Sequence, residues 1–355
     1  MVREAAARRQ EGDEVECQGD FLFEQEKKGV VRMDWRRRDI LKAISAAAAA
    51  KVVLGGGELL GMGSKMEEGE LKGKMPRRTL GKTEEDVSMI AFGGIVVMDE
   101  EPSHAAEVVA EAVEKGINYF DVAPSYGDAE EKLGPALKPF RKDVFLACKT
   151  GKRDKAGAKE ELDASLKKLE TKRFDLYQLH AITDVEEDVK AALGKGGAME
   201  TILDARKAGV IRYIGFSAHS PEAALAAMRE FDFDTVMYPV NFACHFNMGF
   251  ETEVLAEAKK RGMGIIALKA LAKQRWQSND RRGYKKCWYE PVDERELARK
   301  ALSWTLSQGV HVAIPPGEES LWRLGAELGP VCKAPTEQEI LELRVAASGC
   351  KALFA

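Results

Sequence analysis

The fold is first indicated by residues 119–127, Tyr-Phe-Asp-Val-Ala-Pro-Ser-Tyr-Gly. The apolar run over 119–121 predicts a short strand, and the proline and glycine that follow indicate a turn. The next apolar run lies at 144–149, after an amphipathic stretch. A strand, an amphipathic helix and a second strand in this order are typical of a β-α unit in a parallel sheet.

The same alternation extends over residues 75–355. The predicted strands are 89–92, 119–121, 144–149, 176–180, 213–216, 235–238, 264–268 and 312–314. Helix start and stop signals lie between or after them, at Ser103 and Gly116, Ser220-Pro221, Gly262, Gly309 and Thr336. About eight units suit an α/β fold of the (β/α)8 TIM-barrel type. A doubly wound open sheet is the competing arrangement, but no G-x-G-x-x-G follows the first predicted strand.

The composition excludes several classes of protein. Hydrophobic residues make up 45% and charged residues 32% of the 355 residues, which are ordinary values for a soluble folded chain. The 54 lysines and arginines nearly balance the 58 aspartates and glutamates, so no basic field is present to bind nucleic acid. The six cysteines form no C-x-x-C pair, which argues against a metal ribbon, an iron–sulfur cluster or a dense disulfide framework.

The N-terminal 74 residues differ in character from the rest. Residues 1–32 are highly charged without apolar periodicity, which predicts a disordered extension. Residues 33–74 contain a basic stretch, a mostly apolar run over 43–54 that is too short for a stable transmembrane helix, and a glycine-rich linker. The core Arg37-Arg38-x-Ile40-Leu41-Lys42 resembles the twin-arginine export consensus.

Two localisations follow from this segment. If it is a signal, Met33 is the expected start and the twin-arginine machinery exports the protein to the periplasm. The alternative is an alanine-rich surface helix on a cytoplasmic protein.

Polar residues end three successive predicted strands. Asp121 is followed by Tyr126, Lys149 ends the next strand, and His180 ends the one after it. Active sites of such barrels lie at these strand ends. Lys149 and Asp121 are expected to form an ion pair whose cation lowers the pKa of Tyr126 from about 10, and His180 is expected to hydrogen-bond a carbonyl oxygen. Each residue alone has a structural explanation, but together they predict a catalytic site.

The motifs around these residues resemble the aldo/keto reductase family over essentially all of 75–355. The matching segments are Asp121-x-Ala123-x-x-Tyr126-Gly127, Glu130-Glu131-x-Leu133-Gly134, Leu162-x-x-Ser165-Leu166-x-x-Leu169, Asp175-Leu176-x-x-x-His180, Arg212-x-Ile214-Gly215-x-Ser217, and Arg78-Thr79-Leu80-Gly81 with Phe92-Gly93-Gly94. The resemblance implies a barrel with an N-terminal hairpin, to which the sequence adds a C-terminal helix. It implies reduction of an aldehyde or ketone by a nicotinamide cofactor, with Tyr126 as proton donor, Lys149 and Asp121 tuning it, and His180 orienting the carbonyl.

The cofactor positions match the family less completely. Those assigned here to cofactor binding are Gly93, Gly94, Ser217, Asn241, Lys269, Leu271, Ile314, Gly317 and Arg323. Where the family has an asparagine and a glutamine for the nicotinamide amide, this chain has Ala218 and Met237, and Leu268 takes the place of a stacking aromatic ring. Asn241 and His219 are nearby candidates to compensate.

The 2′-phosphate positions are also altered. Pro316 takes the place of a lysine, Ala326 takes that of an asparagine, and Arg323 lies one residue from the family's arginine. The resemblance implies NADP, with NAD possible because fixed cations are missing.

The substrate is expected to be a small carbonyl compound. Basic and aromatic residues concentrate in the segment 272–289 and favour an anionic or sugar-like substrate, or alternatively a solvated loop anchored by its aromatic rings. Because the cofactor groove is altered, the sequence leaves a second hypothesis open, a non-catalytic or weakly active cofactor-binding protein on the same barrel.

Overall fold

Twelve strands and eleven α-helices are found in the part of the chain that the structure, a computed structural model, describes: residues 74–277, 282–351 and 353–354. The strands are β1 (Arg77–Thr79), β2 (Asp86–Ser88), β3 (Phe92–Gly93), β4 (Tyr119–Asp121), β5 (Phe145–Thr150), β6 (Phe174–Ile182), β7 (Ile211–Ala218), β8 (Thr235–Pro239), β9 (Gly264–Leu268), β10 (Ala272–Arg275), β11 (Tyr289–Pro291) and β12 (Val312–Ile314). The predicted extension and twin-arginine segment, and the linker up to residue 73, lie outside the described residues.

The helices follow the strands as predicted. They are α1 (Pro102–Glu114), α2 (Ala129–Leu137), α3 (Lys155–Lys168), α4 (Ala191–Leu193, continuing the π-helical turn Val185–Lys190), α5 (Ala198–Lys207), α6 (Pro221–Glu230), α7 (Phe242–Met248), α8 (Thr252–Lys260), α9 (Arg295–Ser307), α10 (Glu319–Leu328) and α11 (Glu337–Ser348). Short 3-10 turns occupy Gly81–Thr83, Gly94–Val97, Lys138–Phe140 and Gly329–Val331. No helix within the described ranges is long and apolar enough to cross a membrane.

Eight parallel strands form the barrel, in the order β12-β9-β8-β7-β6-β5-β4-β3. A single parallel bridge between Ile90 and Ala313 closes it, since the Ala313 N–H donates to Met89 O at 2.8 Å and the Ala91 N–H donates to Ala313 O at 3.0 Å. The expected (β/α)8 barrel is therefore confirmed, and the open doubly wound sheet is excluded.

The predicted N-terminal hairpin closes the N-terminal end of the barrel. Strands β1 and β2 pair antiparallel, and Leu80 between them is fully buried against the interior side chains. Gly81 follows with φ +53°, and a Cβ at this position would overlap the backbone of Met263 and Gly264. Only glycine satisfies both the left-handed backbone and this close approach.

Most helices with start or stop signals in the sequence begin or end where those signals predict. Ser220 caps α6 by accepting from the Ala223 N–H at 3.2 Å, and Thr336 forms a reciprocal capping box with Glu339. The prediction for Ser103 is wrong, because α1 already begins at Pro102. Proline is tolerated there because the first N–H groups of a helix have no intrahelical partner.

The segment after β9 is more ordered than a simple loop. Strands β10 and β11 pair antiparallel, and Lys273 on β10 binds the Glu290 carboxylate on β11 at 2.6 Å. The Val292 N–H also donates to Leu271 O at 2.7 Å, which extends the pairing of the two hairpin strands by one residue on each side. The hairpin therefore begins three residues after the end of β9, at the carboxyl end of the barrel.

Candidate active site

The interior side chains of the barrel become polar at the carboxyl ends of β4, β5 and β6. Side chains alternate along a strand, so Asp121 follows the interior residue Tyr119 by two positions, and Lys149 follows Ala147 in the same way. Lys149 is fully buried and Asp121 is 2% exposed. A buried ammonium and carboxylate are tolerated only when they are paired.

Lys149 and Asp121 form this pair directly. Lys149 Nζ donates to Asp121 Oδ2 at 2.5 Å and to Val122 O at 3.1 Å, and Gln178 Nε2 lies 3.5 Å from the other carboxylate oxygen. Burial lowers the pKa of Lys149, but Asp121 and Tyr126 raise it by more, so the pKa lies above its ordinary value. The lysine is thus a fixed cation at neutral pH.

Tyr126 lies in the turn after β4, where its N–H donates to Ala123 O at 3.0 Å. The ammonium of Lys149 is 4.9 Å from the centre of its ring. Burial raises the pKa of Tyr126 and the charge of Lys149 lowers it, with a net pKa above the ordinary value of 10. The predicted lowering of this pKa is therefore wrong in net direction, because removal of the phenol from water outweighs the nearby cation.

The His180 ring lies against Tyr126 at the same end of the barrel. The ring centres are 5.8 Å apart at an interplanar angle of 83°, and Ser125 Oγ is 3.5 Å from His180 Nδ1. Burial lowers the pKa of His180 to about 3, helped by the positive charges of Lys149, Arg153 and Lys269. The imidazole is consequently neutral at physiological pH. A hydrogen bond from Ser125 to Nδ1 would leave the ring hydrogen on Nε2.

The backbone that carries His180 is held from both sides. Ala181, the next residue, has φ +54°, a conformation that costs a non-glycine residue about 1–3 kcal/mol. Its N–H donates to Ser217 Oγ at 2.7 Å, and Arg153 Nη2 donates to His180 O at 2.7 Å. Asp188 in turn accepts from Arg153 Nε at 2.9 Å. Sequence reasoning missed Arg153 and Asp188, because both act on backbone atoms and neither stands at a strand end.

The nicotinamide side of the predicted groove is largely apolar. Ala218 and Leu268 end β7 and β9, Met237 lies in the middle of β8, and all three are buried or half-buried. Asn241 is fully buried, and its side chain caps α7, with Oδ1 accepting from the Cys244 N–H at 2.9 Å and Nδ2 donating to Cys244 Sγ at 3.4 Å. Its amide therefore has partners within the protein, and Ser217 remains the polar group at the position that the family uses.

Lys269 and His219 meet beside these apolar residues. Lys269 Nζ is 3.1 Å from His219 Nε2, and it lies 5.4 Å from the centre of the Trp288 ring and 5.7 Å from that of Phe354. Burial lowers the pKa of Lys269 to about 8 and, together with this lysine, lowers the pKa of His219 to about 3.

The residues predicted to face the cofactor phosphates lie in turns and at the start of α10. Gly94 approaches Val122 and Gly317 approaches the Ile95 side chain so closely that a Cβ on either would overlap its neighbour. The remaining predicted positions on this side are buried within the ends of barrel strands or the residues after them: Gly93, Leu271 and Ile314.

Arg323 is already bound to carboxylates. Its guanidinium donates to both oxygens of Glu111, at 2.8–3.2 Å, and to Glu319. Glu318 accepts from the Lys286 N–H at 2.5 Å, and Lys286 Nζ binds Glu100 at 2.8 Å. The start of α10 therefore carries two glutamates, Glu318 at the N-cap and Glu319 in the first turn, and the predicted cation for a 2′-phosphate is neutralised.

A parallel eight-stranded barrel with a buried acid–base cluster at the carboxyl ends of its strands defines the class of (β/α)8-barrel enzymes. A family model described as the Aldo/keto reductase family matches residues 90–316, and the chain belongs to this family of oxidoreductases.

Individual relatives agree with this assignment. The uncharacterized oxidoreductase YqkF of Bacillus subtilis is 27% identical over 76% of this chain and 96% of its own length. L-galactose dehydrogenase of Arabidopsis thaliana is 28% identical over 56% of this chain and 66% of its own. The holo form of an aldo-keto reductase from Bacillus halodurans, 23% identical, shares the fold with a TM-score of 0.59 over 76% of this chain and 96% of that one.

Proposed function

We propose that the protein reduces an aldehyde or ketone to an alcohol with a reduced nicotinamide cofactor, and that Tyr126 is the proton donor. The observation that carries the proposal is the buried contact of Lys149 with both Asp121 and the Tyr126 ring, 2.5 Å from the carboxylate and 4.9 Å from the ring centre. An isolated structural ion pair does not need a phenol and an imidazole beside it.

A reduced nicotinamide cofactor, when bound, would supply the hydride for the carbonyl carbon. As negative charge develops on the carbonyl oxygen, Tyr126 donates its proton there. Its raised pKa keeps the phenol protonated at neutral pH, which suits a donor. Lys149 then faces the phenolate that remains and stabilises it, while Asp121 holds the ammonium in position.

His180 orients the substrate in this scheme. Its low pKa, about 3, keeps the ring neutral, so that Nε2–H donates to the carbonyl oxygen without competing with Tyr126 for the proton transfer. Arg153 and Ser217 hold the backbone on either side of the ring. The carbonyl oxygen is thereby expected to receive two hydrogen bonds, from a phenol and an imidazole.

The nicotinamide half of the cofactor fits the residues present. Ser217 Oγ accepts from the Ala181 N–H, so its own hydrogen remains for the oxygen of the nicotinamide amide. Met237 and Leu268 offer apolar surface to the ring.

The residues expected to surround the adenosine half of the cofactor favour NAD over NADP. A 2′-phosphate would bring two negative charges to a helix start that already carries Glu318 and Glu319, and Arg323 is engaged with Glu111. The hydroxyl groups of an unphosphorylated ribose, by contrast, can donate hydrogen bonds to a carboxylate. We therefore propose NADH as the preferred cofactor, against the family-based expectation of NADP.

Titration with NADH and with NADPH, followed by tryptophan fluorescence, tests the cofactor assignment. We expect NADH to bind at least tenfold more tightly than NADPH. Glu319→Gln should reduce this difference between the two Kd values. Preference for NADPH in the unaltered protein would contradict the electrostatic argument. Oxidation of the bound cofactor by 4-nitrobenzaldehyde then tests the reaction itself.

The altered groove also supports a second candidate, a cofactor-binding protein without turnover. The observation in its favour is the loss of amide donors at Ala218 and Met237. The same titration separates the two: tight cofactor binding with no oxidation by any of a panel of aldehydes would favour the binding protein.

A further inference from the structure

Among the described residues, the charges at the mouth of the barrel do not balance. Lys149 is paired with Asp121, and Arg153 is paired with Asp188 at 2.9 Å. Lys269, at the end of β9, forms no ion pair with any carboxylate among the described residues, and its nearest polar partner is the neutral His219 at 3.1 Å. A half-buried cation without a counter-charge is costly, and an anionic ligand would compensate it.

The position of Lys269 is set by its backbone. The residue has φ +62°, and the Ala272 N–H donates to its carbonyl oxygen at 2.9 Å, which makes a tight turn between β9 and β10. This left-handed conformation is unfavourable for a lysine and is typical of functional sites. It holds the side chain at the mouth, where its charge is one of those that lower the pKa of His180.

The surroundings of the ammonium are aromatic. Trp288, which is 50% exposed, and Phe354 flank it, and Phe354 stacks on Phe250 with ring centres 4.8 Å apart. One cation beside exposed ring surface suits an organic monoanion better than a strongly hydrated inorganic dianion.

We propose that Lys269 and His219 form a carboxylate-binding subsite beside Tyr126 and His180, so that the substrates are aldehydes or ketones that carry a carboxylate. This inference rests on the proposed function. The lysine would donate to one carboxylate oxygen, and Trp288 and Phe354 would cover the organic part of the molecule. The diphosphate of a bound cofactor would be the alternative anion for this lysine, and the experiment separates the two.

The test compares 4-carboxybenzaldehyde with its methyl ester, which has the same carbonyl group without the charge. For each variant, the ratio of kcat/KM for the acid to that for the ester is measured with NADH. We expect the unaltered protein to favour the acid at least tenfold, and Lys269→Met to lower the ratio by about 10- to 100-fold. Lys269→Arg should retain most of the preference. Lys273→Met, which removes a neighbouring lysine already paired with Glu290, should leave the ratio unchanged.

Equal use of acid and ester by the unaltered protein would overturn the subsite. So would an unchanged ratio in Lys269→Met accompanied by a tenfold or larger rise in the Kd for NADH, because the lysine would then serve the cofactor diphosphate. If neither aldehyde is reduced, benzoate binding followed by tryptophan fluorescence still decides about the subsite. Binding that Lys269→Met abolishes would support the subsite although the reductase proposal had failed, and absence of binding would overturn the subsite.

Discussion

Tyr126 and Lys269 are both ionisable residues at the barrel mouth, and burial shifts their pKa values in opposite directions. Burial disfavours the charged form of each, so it raises the pKa of the phenol and lowers that of the ammonium to about 8. The sequence predicted a lysine beside the tyrosine, and this contact is present. It could not predict the net direction of the Tyr126 shift, because the extent of burial depends on how surrounding loops pack.

These shifts predict different pH profiles for the two probe aldehydes. Lys269 loses its proton as the pH rises through about 8, so KM for 4-carboxybenzaldehyde should rise above that pH. Three described titratable groups lie around Lys269, and none of them titrates between pH 5 and 9, since the pKa values of His180 and His219 are about 3 and that of Cys244 is about 11.

The methyl ester provides the control for this profile. Its KM should stay level over the same range, because Tyr126 remains protonated and no charge on the substrate is involved. Parallel changes of KM for acid and ester would contradict the assignment of the pH effect to Lys269.

Arg153 provides a second prediction at the residue scale. Its hydrogen bond to His180 O at 2.7 Å makes it a positioning residue for the imidazole. Arg153→Gln should lower kcat for the ester by about tenfold or more with a smaller effect on KM, because a small displacement of a catalytic group is costly. Arg153→Lys should recover part of the loss. A variant with wild-type kcat would show that His180 is held without this contact.

At the scale of elements, the strands and most helix ends could be predicted from the sequence. Apolar runs, Ser220 and Thr336 are local signals, and the structure confirms them. The β10–β11 hairpin could not be predicted in this way, since its strands contain charged residues that are held by cross-strand pairs such as Lys273 with Glu290. The hydrogen bonds that hold the backbone on both sides of His180 could not be predicted either, because they join side chains to backbone atoms far apart in the chain.

The N-terminal hairpin gives a prediction at this scale. Gly81→Ala should lower the free energy of unfolding by about 2–5 kcal/mol, because the methyl group overlaps the β9 backbone and the residue must keep a positive φ. Gly209→Ala is the matched control, since Gly209 has φ +73° with no heavy atom within 4 Å of the added Cβ. It should cost only about 1 kcal/mol. Urea denaturation of both variants measures the difference, and equal losses would mean that the hairpin does not pack as described.

At the scale of the whole molecule, the barrel unites elements from distant parts of the chain into one site. The pattern of predicted strand ends and the family resemblance both predicted which four residues converge. The fold explains the convergence, since Asp121, Lys149 and His180 lie within two residues of the carboxyl ends of neighbouring parallel strands. Neither signal predicted the acidic start of α10, because the charged cluster there is visible only from the contacts of Arg323 with Glu319 and Glu111. The proposed cofactor preference thus depends on contacts between packed helices more than on a motif.

The cellular location of the protein is also a property of the whole molecule. We propose that Arg37 and Arg38 direct the chain to the twin-arginine machinery, which carries folded proteins. Replacing both by lysine should move the protein from the periplasmic to the cytoplasmic fraction. An Arg8→Lys and Arg9→Lys variant is the matched control, and an unchanged distribution of the Arg37 and Arg38 variant would exclude the signal.

The most direct test of the central claim is a comparison of the unaltered protein with Tyr126→Phe in the reduction of an aldehyde by NADH. Loss of the phenolic proton should reduce kcat by at least a thousandfold, while the Kd for NADH changes by less than threefold, because Tyr126 acts on the carbonyl oxygen. Tyr213→Phe, which removes a phenol that donates to Thr83 O on the hairpin at the opposite end of the barrel, should keep its activity. Wild-type turnover by Tyr126→Phe would contradict the mechanism.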